Sequence, residues 1–198
     1  MFIETIAPPR TWRAIEARTR AMGFDMPSDP AVGAALRSLA AAKPGGRILE
    51  LGTGTGLATA YLLAGMDEAA RLVSVDTDAG VQNVAREAFA EDPRVRFVIC
   101  DGLAFIKAAE PAAYDLIFAD AWPGKYEGLD GALALLAPGG FYVIDDMLPQ
   151  PNWPDGHQAN VDALIGDLTS RRGLAVSLMP FGSGMVVATR QVSKWMAT

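Results

Sequence analysis

From Arg47 onward, short and mostly apolar runs alternate with longer segments that carry polar residues among the apolar ones. The runs predict strands over 47–51, 71–76, 94–100, 114–119 and 140–145, each apolar enough for a sheet covered on both faces. Helices are expected between them, near 57–65, 78–90, 102–109 and 127–136, with a last one over about 158–172. Leu174–Met179 and Met185–Thr189 then read as two strands joined by the turn signal Pro180-Phe181-Gly182-Ser183-Gly184. Strand–helix alternation that ends in a hairpin implies an α/β fold, a mostly parallel sheet with an antiparallel edge. Two helices precede it: Thr11 to Met22, and one opening at the capping sequence Ser28-Asp29-Pro30 and running to about Ala42. Pro44-Gly45-Gly46 ends the second.

The first strand leads into Glu50-Leu51-Gly52-Thr53-Gly54-Thr55-Gly56, with a helix opening at Leu57. Glycine tolerates positive φ and has no Cβ, so backbone N–H groups approach a ligand closely beside a positively polarised helix N-terminus. That suits nucleotide-like cofactors. The glycines do not fall in the G-x-G-x-x-G pattern of dinucleotide folds. Glu50 would also repel a pyrophosphate, whereas it is suited to accept from an amino group.

Composition narrows the classes. A chain of 198 residues with 51% hydrophobic and 20% charged content is expected to form one globular domain. No apolar stretch reaches membrane-spanning length, and MFIETIAPPR lacks a signal-peptide pattern. The single cysteine, Cys100, excludes an internal disulfide and fits the reducing cytoplasm; its place in Val95–Cys100 predicts a buried, inert thiol. Net charge is −6 without a basic stripe, so a nucleic-acid partner is disfavoured. Arg171-Arg172 is explained by a helix C-terminus. A homodimer is a weaker expectation, from the apolar composition and the Trp195-Met196 tail.

ELGTGTG resembles motif I of the class I S-adenosylmethionine-dependent methyltransferases. The terminal hairpin is similar to that family's Rossmann-like seven-stranded sheet, with helices on both faces. The resemblance implies one methyltransferase domain over 1–198, with residues 1–45 as a helical cap and 46–190 as the cofactor-binding core. It implies S-adenosylmethionine held by Gly52, Thr53, Gly54, Gly56 and Glu50. Asp76 ends its strand where a carboxylate is able to accept both ribose hydroxyls, followed by Thr77. Asp101, followed by Gly102, is placed either to hold the adenine amino group or to cap a helix. Met26-Pro27-Ser28, between the N-terminal helices, is a candidate lid on the cofactor.

Asp120 ends the fourth strand, and Asp145-Asp146 end the fifth. With Asp120-Ala121-Trp122-Pro123-Gly124-Lys125-Tyr126 they resemble the catechol and caffeoyl-CoA type of O-methyltransferase, over roughly 26–190. That resemblance implies magnesium, calcium or manganese bound by Asp120, Asp145 and Asp146, holding a small hydroxylated acceptor. A turn-and-capping role for Asp145-Asp146 stands as the alternative. Position 123 is proline where the family carries a proton-accepting lysine. Asp120, Lys125 and His157 are therefore the catalytic candidates, with Tyr126 a further substitute and the metal alone another. His157, the only histidine, falls in a loop after the fifth strand, a place equally served by a surface or capping role. Trp122, Tyr126 and Trp153 either wall a planar acceptor or pack the loops. Metal-independent N- or O-methylation, or a cofactor-binding module without catalysis, are the rival readings.

Overall fold

The computed structural model describes residues 7–192, so the Trp195-Met196 tail lies outside the described residues. Seven strands form one sheet: β1 (Arg47–Leu51), β2 (Arg71–Asp76), β3 (Val95–Ile99), β4 (Tyr114–Ala119), β5 (Leu136–Ile144), β6 (Leu174–Met179) and β7 (Met185–Arg190). Their order is β3-β2-β1-β4-β5-β7-β6. The first five are parallel, and β7 runs antiparallel to both β5 and β6. The chain moves outward from β1 to β3, then returns across the sheet to β4 on the other side of β1. That reversal opens a crevice beyond the carboxyl ends of β1 and β4, where open α/β sheets bind ligands.

The helices are α1 (Trp12–Ala21), α2 (Pro30–Ala41), α3 (Leu57–Gly65), α4 (Ala79–Ala88), α5 (Gly102–Ala108), α6 (Leu129–Ala134) and α7 (His157–Ser170). Trp122–Lys125 forms a single distorted turn, with Pro123 and Gly124 outside helical geometry. The apolar runs of β1 and β4 are buried because helices cover both faces. On one face Leu36, Leu62 and Val84 pack with Ile48, Leu116 and Phe118. On the other, Ile106, Ala132 and Leu164 pack with Leu49, Ile117 and Tyr142. The edge strands β3 and β6 are only partly covered.

Asp29 caps α2 by accepting from the Ala31 N–H, with Pro30 in the first turn, as the sequence leads one to expect. The expected helix over 127–136 shrinks to Leu129–Ala134, and β5 begins at Leu136 rather than at 140. Leu136 is fully buried and pairs with Tyr114, and a register shift next to that pair carries the Pro-Gly-Gly segment within the strand. Arg171 closes α7 onto α6 through Asp167 and Asp130 (2.7 and 2.6 Å), which accounts for it structurally. Among the described residues no helix is long and apolar enough to cross a membrane.

Candidate functional site

A cavity of about 530 Å³ occupies the crevice beyond β1, β2 and β4. Gly52, Thr53, Gly54, Asp76, Thr77 and Gly102 line one end of it, and Asp120, Lys125, Asp146 and His157 the other. A second hollow of about 750 Å³, between α3 and the turn after α4, holds none of these groups.

The glycine loop is tied back to β2: the Gly52 and Thr53 N–H groups both donate to the Val75 carbonyl (2.9 and 3.2 Å). Gly52 sits at φ +97°, and a Cβ there would come within 2.6 Å of the Asp120 carbonyl oxygen. Only glycine lets β1 and β4 pass that closely. The Asp76 carboxylate accepts from the Gly54 N–H (2.8 Å) with one oxygen and from the Asp78 N–H (2.9 Å) with the other. It therefore braces the loop while facing the cavity.

Glu50 does not line the cavity. Its side chain is fully buried behind the loop, where one oxygen accepts from the Thr59 hydroxyl (2.6 Å) and from Ser74. Ser74 is bonded in turn to Thr53, and Thr53 accepts from the Gln82 amide (2.6 and 3.0 Å). The other Glu50 oxygen has no partner. The strand period explains the placement: side chains alternate in direction, and the Glu50 side chain is bonded on the α3 side, toward Thr59. Burial raises its carboxyl to about 7, against two lowering hydrogen bonds and with Asp76 adding a smaller upward push.

A carboxyl raised from 4.5 to about 7 on folding leaves stability intact below 4.5 and lowers it as pH rises toward 7, because the unfolded chain ionises first. The shift corresponds to about 3 kcal/mol, order of magnitude only. We expect Glu50→Gln to remove most of this slope between pH 5 and 7.5, read by urea unfolding at a series of pH values. An unchanged slope would refute the assignment.

The segment after α1 closes the cavity from above. Phe24, Met26 and Ser28 line it, and Met26 is 63% exposed, as a lid residue would be. Since Asp29 provides the cap of α2, the Ser28 hydroxyl is left to donate to Asp120 (3.2 Å). Thr19 donates to Thr55 of the glycine loop (2.8 Å), and the Asn152 amide donates to the Asp25 carbonyl (3.3 Å). Sequence reasoning missed Phe24 and the contact of Ser28 with Asp120. Ser28 had a signal, read as part of the cap and of the lid; Phe24 had none.

Asp101 does not line the cavity: it is exposed and caps α5 by accepting from the Ala104 N–H (2.8 Å). Gly102 and Cys100 do line it. Cys100 is half-buried rather than enclosed, since β3 is an edge strand; burial and then the Asp101 charge push its thiol up. Gly56 opens α3 at φ +94° but does not itself line the cavity.

At the acceptor end, burial, then Asp145 and Asp146, push the Asp120 carboxyl well above the usual range, against the lowering effect of Lys125. The Lys125 ammonium stands 3.9 Å from Asp120 Oδ1. Asp145 is 1% exposed, and one oxygen accepts from both the Ser183 hydroxyl and the Asp146 N–H. Burial and then Asp146 raise its carboxyl to about 6. Asp146 reaches the cavity through a left-handed backbone, φ +55°. The three carboxylates expected to ligate a metal act on one another's protons but do not form one ligand set. Among the described residues no cluster of three metal-ligating side chains is present, and the donor set as it stands does not fit a divalent ion.

His157 is not a surface loop residue. It opens α7, is 6% exposed, and packs against Trp153, Tyr126 and Trp122 (ring centroids 4.7, 5.1 and 6.0 Å). The aromatic side chains around it bury it, so they pack the loops as well as wall the cavity. Its Nε2 is 3.1 Å from the Tyr126 hydroxyl, and its Nδ1 is buried without a partner. Burial and then Asp146 push the Tyr126 phenol up to about 12. At neutral pH the phenol therefore keeps its proton, with its hydroxyl in hydrogen-bond range of Nε2.

A family profile described as "Methyltransferase domain" matches residues 49–147, half of the chain. A "Putative O-methyltransferase" of Mycobacteroides abscessus is 32% identical over 186 residues, covering 88% of this chain and 86% of that protein. Among solved structures, a Corynebacterium glutamicum protein superposes with a TM-score of 0.82 at 23% identity, over 96% of this chain and 93% of that one. The O-methyltransferase TomG of Streptomyces achromogenes, solved with SAM, gives a TM-score of 0.80 at 21% identity, over 95% and 92%. These two likenesses bear on the fold.

Proposed function

The chain belongs to the class I S-adenosylmethionine-dependent O-methyltransferases, and we propose that it methylates a hydroxyl of a small acceptor bound beside Asp120. The single observation that carries this reading is one continuous cavity, with the braced glycine loop and Asp76 at one end and Asp120, Lys125, Tyr126 and His157 at the other. The cradle suits the cofactor: a Cβ at Gly52 would collide with backbone, and a carboxylate stands at the end of β2 for the ribose. Gly54, Thr53, Thr77, Gly102 and Met26 complete that end, and Gly56 shapes the loop from behind.

When bound, S-adenosylmethionine supplies a sulfonium methyl that the acceptor oxygen attacks, the C–S electron pair staying on sulfur. The protein orients the oxygen and removes its proton. Asp120 and Ser28 are placed to hold the acceptor hydroxyl. Tyr126 accepts the hydroxyl proton as its own passes to His157 Nε2, leaving an imidazolium and an oxygen free to attack. This relay takes over the part that Pro123 cannot play. The single cysteine, the apolar composition and the net charge of −6 support a cytoplasmic homodimer that takes a small-molecule acceptor, with neither nucleic acid nor membrane as partner.

Isothermal titration with S-adenosylhomocysteine, and with NAD as the control, tests the cofactor assignment. Tight binding of the first and weak binding of the second is expected. Asp76→Ala should lose about 1.5–3 kcal/mol of affinity, the worth of charge-assisted hydrogen bonds. Unaltered affinity in that variant would remove Asp76 from the site.

A further inference from the structure

Resting on the methyltransferase reading above, we infer that the Lys125 ammonium occupies the place of a divalent cation in this chain, and that it excludes one. Lys125 is 5% exposed yet lines the cavity. Among the described residues its only ion-pair partner within 4 Å is Asp120, 3.9 Å away and beyond hydrogen-bond range. A buried ammonium with three donors and no hydrogen bond has capacity left for an oxygen in the cavity.

The backbone that aims it is rigid. Gly124 turns at φ +89°; its carbonyl accepts from the buried Tyr142 hydroxyl (2.6 Å), and its N–H donates to the Glu127 carbonyl (2.7 Å). The Tyr126 N–H closes the turn on the Trp122 carbonyl (3.0 Å). Pro123 and Gly124 thus do more than delete a lysine: together they bend the chain so that Lys125 points in beside Asp120.

The carboxylates agree with this assignment. One of the three, Asp145, does not line the cavity, and one of its oxygens is engaged by Ser183 of the β6–β7 turn and by the Asp146 N–H. Asp120 and Asp146 remain, lining the same cavity as the Lys125 ammonium, which stands beside Asp120. A dication there would have to displace Lys125 or sit against its like charge, and it would find two carboxylates rather than three. Facing the acceptor, the ammonium instead supplies a fixed positive charge for the oxygen that loses its proton.

The test is manganese binding to the intact protein saturated with S-adenosylhomocysteine, read by electron paramagnetic resonance and titration calorimetry. Wild type and Lys125→Arg should take up no Mn²⁺ in the micromolar range. Lys125→Met, which leaves Asp120 and Asp146 without a counter-charge, should bind Mn²⁺ at least about tenfold more tightly than wild type. Stoichiometric micromolar uptake by wild type would overturn the inference, as would a Lys125→Met variant no tighter than wild type. Circular dichroism and S-adenosylhomocysteine affinity confirm that each variant is folded, and Lys125→Gln replaces Lys125→Met if the latter fails to fold. Failure of wild type to bind S-adenosylhomocysteine would count against the methyltransferase reading instead, so the two failures are told apart.

Discussion

Gly52→Val should abolish measurable binding of S-adenosylhomocysteine and destabilise the fold by about 2–5 kcal/mol, the sum of a left-handed backbone cost and an overpacking cost. The residue sits at φ +97°, and any Cβ falls 2.6 Å from the Asp120 carbonyl oxygen and 2.9 Å from its carbon. Neither β1 nor β4 has room to withdraw, because both are paired along their length and buried on both faces. Binding fails for a second reason: the displaced atoms belong to the loop whose N–H groups and carbonyls hold to Val75 and Asp120. Gly166→Ala is the control. Gly166 is in the middle of α7 with nothing within 4 Å of its Cβ position, so this change should stabilise by about 0.5–1 kcal/mol. Calorimetry and urea unfolding of both variants give the comparison; a Gly52→Val protein that binds normally would disprove the placement of the cofactor.

Tyr126→Phe and His157→Gln should each lower kcat by about 10²–10⁴-fold, the usual worth of a positioned proton acceptor. Neither should change S-adenosylhomocysteine affinity greatly, since both stand at the opposite end of the cavity from Asp76. The geometry behind this is the 3.1 Å contact between the phenol and Nε2 inside an aromatic shell. Because the two residues act as one unit, the double variant should be hardly slower than either single one. A Tyr126→Phe enzyme at wild-type kcat would dismiss the relay and return the search for a base to Asp120.

Glu50 and Asp101 were legible as carboxylates at the right strand and loop positions, but not as to where each points. Glu50 points toward Thr59 and Ser74 behind the loop, and Asp101 spends its carboxylate on the Ala104 N–H. Sequence position assigns a side chain to a strand end; hydrogen-bond competition with neighbouring helices decides which face or donor it serves.

The order of strands and helices, the glycine turn after β1, the carboxylates at the ends of β2, β4 and β5, and the closing hairpin all followed from the chain alone. They rest on local physics: apolar runs short enough for buried strands, glycines where φ turns positive, and proline and aspartate at helix starts. The tertiary structure decided what depends on residues far apart in sequence. It brought Ser28 to Asp120 across 92 positions and Ser183 to Asp145 across 38. It buried His157 against Tyr126, and it set the Lys125 ammonium beside Asp120 where a metal was expected. No local rule contains such pairings, because each arises only when separate loops converge over one cavity and their polar groups must find partners away from water.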